Sequence, residues 1–273
     1  MHTATYYIDL LLSGITVGSL YALIAIGYTM VYGILRLINF AHGDIFMMAG
    51  FFMVYISASM PMAVAIPVVL IMTVALGLLI ERAAYKPLRS APRMSVMISA
   101  IGVSYLLQNL ATYITGGLAR PYPEIPFLKG TFMLGALKIK IITVVTPLLT
   151  ILLVIALVLF INHTKTGMAM RAVSRDFDTA RLMGIKVNNI ISVTFIIGSF
   201  LAGVGSILYF SNYGQVSPTI GAMPGLKAFV AAVFGGIGSI PGAVLGAYII
   251  GICESLIKAN DAIAIFSNAF TFA

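Results

Sequence analysis

Long uncharged segments of the sequence alternate with short polar connections, and this alternation predicts a bundle of membrane-spanning helices. A spanning helix needs about 20 consecutive apolar residues. Four segments reach that length without a break, namely 10–35, 94–119, 141–161 and 189–210. The first of these carries Gly14 and Gly18 in GxxxG spacing, which permits close contact with another helix.

The uncharged run 45–80 is too long for a single span. Pro61 and Pro67 near its middle favour a break, because proline removes a backbone donor and clashes within a helix. The pattern therefore predicts two spans at about 39–58 and 62–80. The first of the two reaches full length only by including the polar residues 39–44.

A glycine-rich interruption at 235–242 divides the last long apolar stretch into segments at about 225–236 and 241–256. These are predicted to be two short spans or one broken span. The final run, 262–273, is too short to cross a bilayer, so the last span is expected to be incomplete. Taken together, the pattern predicts an all-α, polytopic transmembrane helix bundle of about eight spans, with residues 1–273 forming a single transmembrane domain.

The same glycine-rich break is a candidate part of a solute path. Irregular backbone at membrane depth is tolerated only where it lines a cavity or is buried in protein, and interrupted segments often mark transport sites. On this hypothesis Gly235, Gly236 and Gly238 line a translocation pathway. The alternative is a tight turn between two helices near one membrane surface.

Composition confirms the membrane class and changes how the charge is interpreted. The chain is 60% hydrophobic and 9% charged, with a mean hydropathy of +1.07, whereas soluble domains carry roughly 25% charged residues. The net charge of +8 therefore indicates a basic cytoplasmic face and not a nucleic-acid partner. With the N-terminus outside, ten basic residues fall on the cytoplasmic side and five on the other. This bias predicts a periplasmic N-terminus.

The strongest polar segment of the chain is RAVSRDFDTARLMGIKV at 171–187, within a predicted cytoplasmic region at 162–188. Asp176 is placed to cap a short helix at 177–183, and Gly184 follows it as a C′ glycine would. We expect Phe177, Ala180 and Met183 to lie near one face, and Asp178 can pair with Arg181. So short a helix needs a surface to rest on, which is either the lipid headgroups and its own bundle or a cytoplasmic partner.

Few residues could carry covalent chemistry. The three histidines are far apart in sequence without metal-ligand spacing, and no P-loop motif occurs, so we expect no catalytic site, metal or cofactor, and no ATPase within the chain. Acidic residues avoid the predicted span centres, with Asp44 and Glu254 near span ends, which argues against an ion-coupled carrier. Gln108 and Asn109 lie inside a span. They either line a pathway or form interhelical hydrogen bonds.

Four sequence segments, in order along the chain, resemble one family of membrane proteins. They are GSLYALIAIGYTMVYGILRLINFAHGDIFMMAG (18–50), ERAAYKPLR (81–89), GMAMRAVSRDFDTARLMGI (167–185) and LKAFVAAVFGGIGSIPGAVLGAYIIG (226–251). The chain resembles the H-type permease subunits of bacterial high-affinity branched-chain amino-acid ATP-binding-cassette importers. That family usually ends with a complete last span and a short basic tail, and the segment from 261 onward departs from this pattern.

The resemblance implies a transporter subunit of the importer permease fold in the bacterial inner membrane, working by alternating access with no enzymatic chemistry of its own. It implies a second homologous permease, two cytoplasmic ATPases and a periplasmic or lipid-anchored amino-acid-binding protein as partners. It also implies that the 171–187 segment couples to the ATPases. The residues assigned to coupling are Asp176, Phe177, Ala180, Arg181, Met183 and Gly184.

Three alternatives remain open on the sequence. A permease of the same family could carry urea, short amides or another small solute, because specificity lies largely in the binding protein. A channel or ion-coupled carrier would work without ATP. A structural membrane subunit would have no transport role, although the glycine-rich break argues against it, since a scaffold has no need of irregular backbone in the bilayer.

Overall fold

The computed structural model describes residues 2–89, 91–134, 137–260 and 263–272, and most of them are helical. The α-helices of this part of the chain are α1 His2–Leu35, α2 His42–Ser57, α3 Met62–Ile80, α4 Arg93–Thr115, α5 Ile141–His163, α6 Lys165–Arg175, α7 Phe177–Leu182, α8 Val187–Tyr213, α9 Ala222–Phe234, α10 Ile240–Lys258 and α11 Ser267–Phe272. A π-helical turn, Glu81–Tyr85, continues α3, and a 3₁₀ turn, Ala264–Phe266, precedes α11.

Short strands occur only in the connections of the described part. Strand β1 (Arg120–Pro121) pairs antiparallel with β4 (Gln215–Val216). Strands β2 (Thr131–Leu134) and β3 (Leu137–Lys140) form an antiparallel hairpin before α5.

The expected all-α polytopic bundle is confirmed. Six helices of the described residues are long and apolar enough to cross a membrane, and α2 and α9 are shorter apolar helices. The break in the long run 45–80 occurs at Pro61, which is the N-cap of α3, whereas Pro67 is accommodated inside that helix. The glycine-rich interruption likewise separates two distinct helices, α9 and α10.

Helix α1 lies at the centre of the bundle and packs against α5, α8, α9 and α10. The GxxxG pair of α1 permits close packing against α10, as predicted. A Cβ on Gly14 would lie 2.9 Å from the Cα of Ile252, and one on Gly18 would lie 2.8 Å from the Cα of Tyr248. The backbones of α1 and α10 therefore touch directly, which only glycine permits.

The first residues of α2 are buried beside α1, about two turns before that helix ends. The His42 ring occupies the space next to Gly27, where a Cβ would come within 2.1 Å of Nε2. Gly27 lies eight residues before the end of α1, or about 12 Å along its axis. The connection 36–41 therefore folds back into the bundle, and α2 begins below the surface at which α1 ends.

Helix α9 begins at the same place as α2. A Cβ on Gly43 would lie 2.6 Å from the carbonyl oxygen of Gly221 and 3.2 Å from the Cα of Gly225. From this contact α2 runs toward the end of α4, where Tyr55 and Thr115 line a common crevice. Helix α9 runs the opposite way, toward the end of the bundle where α1 ends and α4 begins. We call this end, which carries Arg36 and the 82–93 and 165–186 segments, the basic face.

A buried ion-pair network joins α1, α9 and α10. Glu254 Oε1 accepts hydrogen bonds from the Nζ atoms of Lys227 and Lys258, both at 2.6 Å, and Oε2 accepts one from the Tyr21 hydroxyl at 2.9 Å. Lys227 is one of the five basic residues that the charge count assigns to the outer side, but it lies inside the bundle, because α9 begins there and carries this lysine in its buried face. Lys258, by contrast, is half exposed at the end of α10.

Replacing Glu254 with glutamine should destabilise the fold, because Lys227 would remain buried without a counter-charge. Breaking a buried pair in this way costs about 3–5 kcal/mol. The midpoint of thermal unfolding in a fixed detergent would measure the loss.

The matched control is Lys258→Met, which removes an equally short but half-exposed contact to the same carboxylate oxygen and should cost at most about 1 kcal/mol. The double variant Lys227→Met/Glu254→Gln should recover part of the loss. Equal midpoints for Glu254→Gln and Lys258→Met would contradict this account.

Candidate functional site

A cavity of about 350 Å³ lies where α2 and α9 begin and α4 passes beside them. We call it the Asp44 cavity. Its walls are formed by Tyr28, Phe40, Gly43, Asp44, Ile101, Ser104, Tyr105, Gln108, Gly221, Ala222, Gly225, Leu226 and Phe229. Most of these side chains are apolar, and a few polar groups converge at one side, which is the usual composition of a small-molecule site.

Asp44 is the charged group of this cavity. It lies in the first turn of α2 and is 2% exposed. Its Oδ1 accepts a hydrogen bond from Gln108 Nε2 at 3.0 Å, and its Oδ2 accepts one from the Ser104 hydroxyl. The ion pairs among the described residues leave this carboxylate without a cationic partner.

The position of Asp44 corrects the expectation that acidic residues stay near the span ends. Its partner Ser104 lies about 16 Å along α4 from the start of that helix, at 1.5 Å per residue. This is close to the middle of the span. The sequence contained one signal, since the second span reached full length only by including residues 39–44, which carried Asp44 into the bundle.

Gln108 and Asn109, the predicted pathway pair, face different surroundings. Gln108 lines the Asp44 cavity and donates to Asp44 and to Ser104. Asn109 is exposed on the outside of α4, and its amide donates to the carbonyl oxygen of Tyr105 at 2.8 Å. A pathway role remains a prediction for both residues, and only Gln108 lies at the cavity.

Gly235, Gly236 and Gly238 form the connection between α9 and α10 at the basic face, away from the Asp44 cavity. Gly236 and Gly238 have φ values of +91° and +97°, and a Cβ on Gly235 would lie 2.0 Å from the carbonyl oxygen of Gly242. This is the geometry of the tight interhelical turn that the sequence left as the alternative. A pathway role for these glycines stays a prediction.

The polar segment at the basic face folds as expected from its local sequence. Helix α7 spans Phe177–Leu182, and Asp176 caps it by accepting hydrogen bonds from the backbone of Asp178 at 2.9 Å and of Thr179 at 3.2 Å. Gly184, at φ +79°, ends it in a Schellman motif: Gly184 N donates to Arg181 O and Ile185 N donates to Ala180 O. The predicted cap and C′ glycine are both confirmed.

The faces of α7 differ from the expected ones. Ala180 is buried and Phe177 is half-buried, but Met183 is 78% exposed and the preceding Leu182 is 88% exposed. Met183 is the C-cap of the helix and is exposed, so it does not share the buried position of Ala180. Asp178 and Arg181, both described, form no ion pair.

Comparisons with known proteins place the chain in one family. The family model for the permease component of branched-chain amino acid transport systems matches residues 10–273. The chain belongs to this permease family.

Individual relatives match the chain along nearly its full length. The chain is 42% identical over 266 residues to BraD, a high-affinity branched-chain amino acid transport system permease protein of Pseudomonas aeruginosa, covering 92% of this chain and 86% of BraD. It is 40% identical over 269 residues to LivH of Escherichia coli, which has the same description, covering 93% and 87%. A probable LivH of Methanocaldococcus jannaschii is 30% identical over 250 residues, covering 88% and 77%.

Family membership and the helix bundle together establish a multi-pass membrane protein of the transport permease class. They favour the main sequence-based interpretation over the alternatives of another solute or of transport without ATP.

The α7 cap should survive to low pH. The hydrogen bonds from the Thr179 side chain and from the backbone of Thr179 and Asp178 hold the pKa of the Asp176 carboxyl below its usual range. A carboxyl whose folded pKa is depressed stabilises the helix fully above its unfolded pKa, and this stabilisation is lost as the pH falls through the lowered value.

Hydrogen exchange of the 177–183 peptide, followed by mass spectrometry, would measure the cap. At neutral pH Asp176→Ala should exchange several-fold faster than the wild type, while Asp176→Asn, which keeps an acceptor oxygen, should stay close to it. Equal exchange in all three proteins would show that the cap does not hold the helix.

Proposed function

We propose that this chain is a permease subunit of an ATP-binding-cassette importer that moves leucine, isoleucine and valine across the bacterial inner membrane by alternating access. The similarity to BraD and LivH along 92–93% of the chain supports this proposal most directly, because both are named as branched-chain amino acid transport permeases. The N-terminus is periplasmic in this proposal, and the basic face is cytoplasmic. Residues 1–273 act as one permease domain.

The proposed complex contains a second homologous permease, two cytoplasmic ATPases and a periplasmic or lipid-anchored amino-acid-binding protein. The uneven burial of the helices supports a second permease. Helices α1 and α8 are largely buried within this chain, whereas α4 and α5 expose most of their apolar surface. The Asp44 cavity opens on the α4 side, where Tyr105 is 63% exposed. A second subunit against this face would complete the walls of a path.

Helix α7 is the proposed contact with the ATPases, and two observations support it. Leu182 and Met183 project from the basic face with almost no cover from their own chain. The segment around α7 is nevertheless tied to the bundle, because Arg36 donates to the carbonyl oxygen of Ser174 at 3.0 Å and Arg89 contacts both Asn188 and Glu81. A displacement of α7 would therefore also move the ends of α1, α3 and α8.

The proposal is tested by expressing the chain with its candidate partners and purifying it through a tag. Two ATPases and a second permease should co-purify in fixed stoichiometry. Proteoliposomes containing this complex should take up leucine only with ATP and the binding protein present. Recovery of the chain alone, or uptake that continues without ATP, would overturn the proposal.

The double variant Leu182→Ser/Met183→Ser should weaken ATPase binding and leave membrane insertion intact. The minority of interface side chains whose truncation costs more than about 1 kcal/mol cluster at the centre of the contact, and we expect Leu182 and Met183 to be among them. A total of 1.4 kcal/mol corresponds to about a tenfold loss of affinity. The ATPase retained per permease after affinity purification is the measurement.

A matched control is Ile265→Ser, which removes an equally exposed side chain, 85% accessible, beyond the opposite end of α10. This variant should retain the ATPases. If both variants kept the same amount of ATPase, α7 would not be the contact.

A further inference from the structure

Asp44 and Glu254 are both buried carboxylates within the bundle, but only Glu254 is neutralised. Two lysine ammonium groups contact Glu254 at 2.6 Å. Asp44 receives only the neutral donors of Ser104 and Gln108, and the described residues provide it with no cation. Burying a carboxylate without a counter-charge is costly. An ionised carboxylate has about four acceptor positions, so the two donors leave part of its hydrogen-bonding capacity unused.

The Asp44 side chain borders a cavity in addition to contacting other side chains. The same cavity is walled by aliphatic and aromatic groups, including Ile101, Leu226 and Phe229. Its volume of about 350 Å³ lies within the range of small-molecule sites. The cavity thus combines one buried negative charge with an apolar wall at short range, which suits a ligand with a cationic group beside a hydrocarbon side chain.

The start of α9 forms another part of the wall, through Gly221, Ala222 and Gly225. The N-terminus of a 13-residue helix carries a partial positive charge. The dipole of α2 is already matched by Asp44 in its own first turn, whereas α9 has no acidic residue in its first turn. A ligand carboxylate is therefore favoured at the α9 side and disfavoured at Asp44.

We propose that Asp44 binds the α-ammonium group of the amino acid during its passage through the permease. The aliphatic side chain of the substrate packs on the Ile101, Leu226 and Phe229 wall, and its carboxylate faces the start of α9. This inference rests on the proposed function and adds a recognition site within the membrane. It makes Asp44 a selectivity residue of the permease itself, in addition to the selection made by the binding protein.

The test uses the assembled permease–ATPase complex in detergent without the binding protein, so that only the permease can recognise the ligand. The probes are leucine, leucinamide and 4-methylpentanoate. Leucinamide keeps the ammonium group and lacks the carboxylate; 4-methylpentanoate keeps the carboxylate and side chain and lacks the ammonium group. The readout is the shift of the thermal unfolding midpoint with ligand concentration.

Leucine and leucinamide should raise the midpoint of the wild-type complex, because a ligand that binds the folded state stabilises it. 4-Methylpentanoate should raise it only at concentrations at least tenfold higher. Asp44→Asn should remove this preference for the ammonium compounds, and Asp44→Glu should retain part of it. An equal response of the wild type to leucine and 4-methylpentanoate would overturn the proposal, whether or not the variants fold.

Proteoliposome uptake at saturating binding protein provides the second arm. Asp44→Asn should lower the rate of leucine uptake at least tenfold while the binding protein still stimulates ATP hydrolysis. Glu124→Gln, which breaks an exposed ion pair with Lys129 in the loop before β2, should transport at the wild-type rate. Unchanged leucine uptake in Asp44→Asn would refute the site.

Two further outcomes separate the possible failures. If wild-type uptake required Na⁺ and Asp44→Asn abolished only that requirement, the carboxylate would hold an ion and not the substrate, and the inference would fail. If the wild-type complex did not assemble with ATPases or did not transport leucine, the proposed function would fail first. If the complex transported leucine equally well in the wild type and in Asp44→Asn, this inference would be refuted and the proposed function would stand.

Discussion

The N-termini of α2 and α9 meet inside the bundle. The arrangement of the remaining helices depends on how closely these two helix ends approach each other. Backbone polar groups cannot be left facing hydrocarbon, so a helix can begin at membrane depth only where protein or a cavity surrounds its first turn. Gly43 of α2 contacts Gly221 and Gly225 at the start of α9 at distances that leave no space for a Cβ. From this contact α2 and α9 run in opposite directions. Their shared origin creates the cavity into which Asp44 projects.

Of the three buried carboxylates in the described residues, Glu81 and Glu254 have cationic partners and Asp44 has none, and the last two show how charge is handled in such a bundle. Glu254 is neutralised by Lys227 and Lys258 and joins three helices, so its charge serves the packing of α1, α9 and α10. Asp44 has hydrogen bonds from neutral groups only and faces an open cavity. An uncompensated buried charge is costly in apolar surroundings, and the cationic ligand proposed for this site would supply the missing charge.

The basic face combines local order with exposed apolar groups. The α7 cap and its Schellman end are formed by residues within ten positions of one another, so they do not depend on distant packing. The orientation of α7 does depend on the bundle, which buries Ala180 and leaves Leu182 and Met183 uncovered. A segment that is capped at both ends, linked to α1 through the contact of Arg36 with Ser174 and apolar at its exposed tip fits the ATPase contact proposed for it.

The sequence by itself determined the membrane class, about eight apolar helices, the break at Pro61 and the local structure of α7. Each of these follows from interactions among residues near one another in the chain, such as hydrophobic run length, proline sterics and capping. Only the tertiary structure decided that residues 36–41 fold back, that Lys227 is buried and that Gln108 but not Asn109 meets Asp44. The tertiary structure also showed that the glycine connection at 235–238 lies in a turn at the surface of the bundle. These features depend on contacts between α1, α2, α4, α9 and α10, whose residues are far apart in sequence, and a one-dimensional pattern of polarity contains no record of which helices touch.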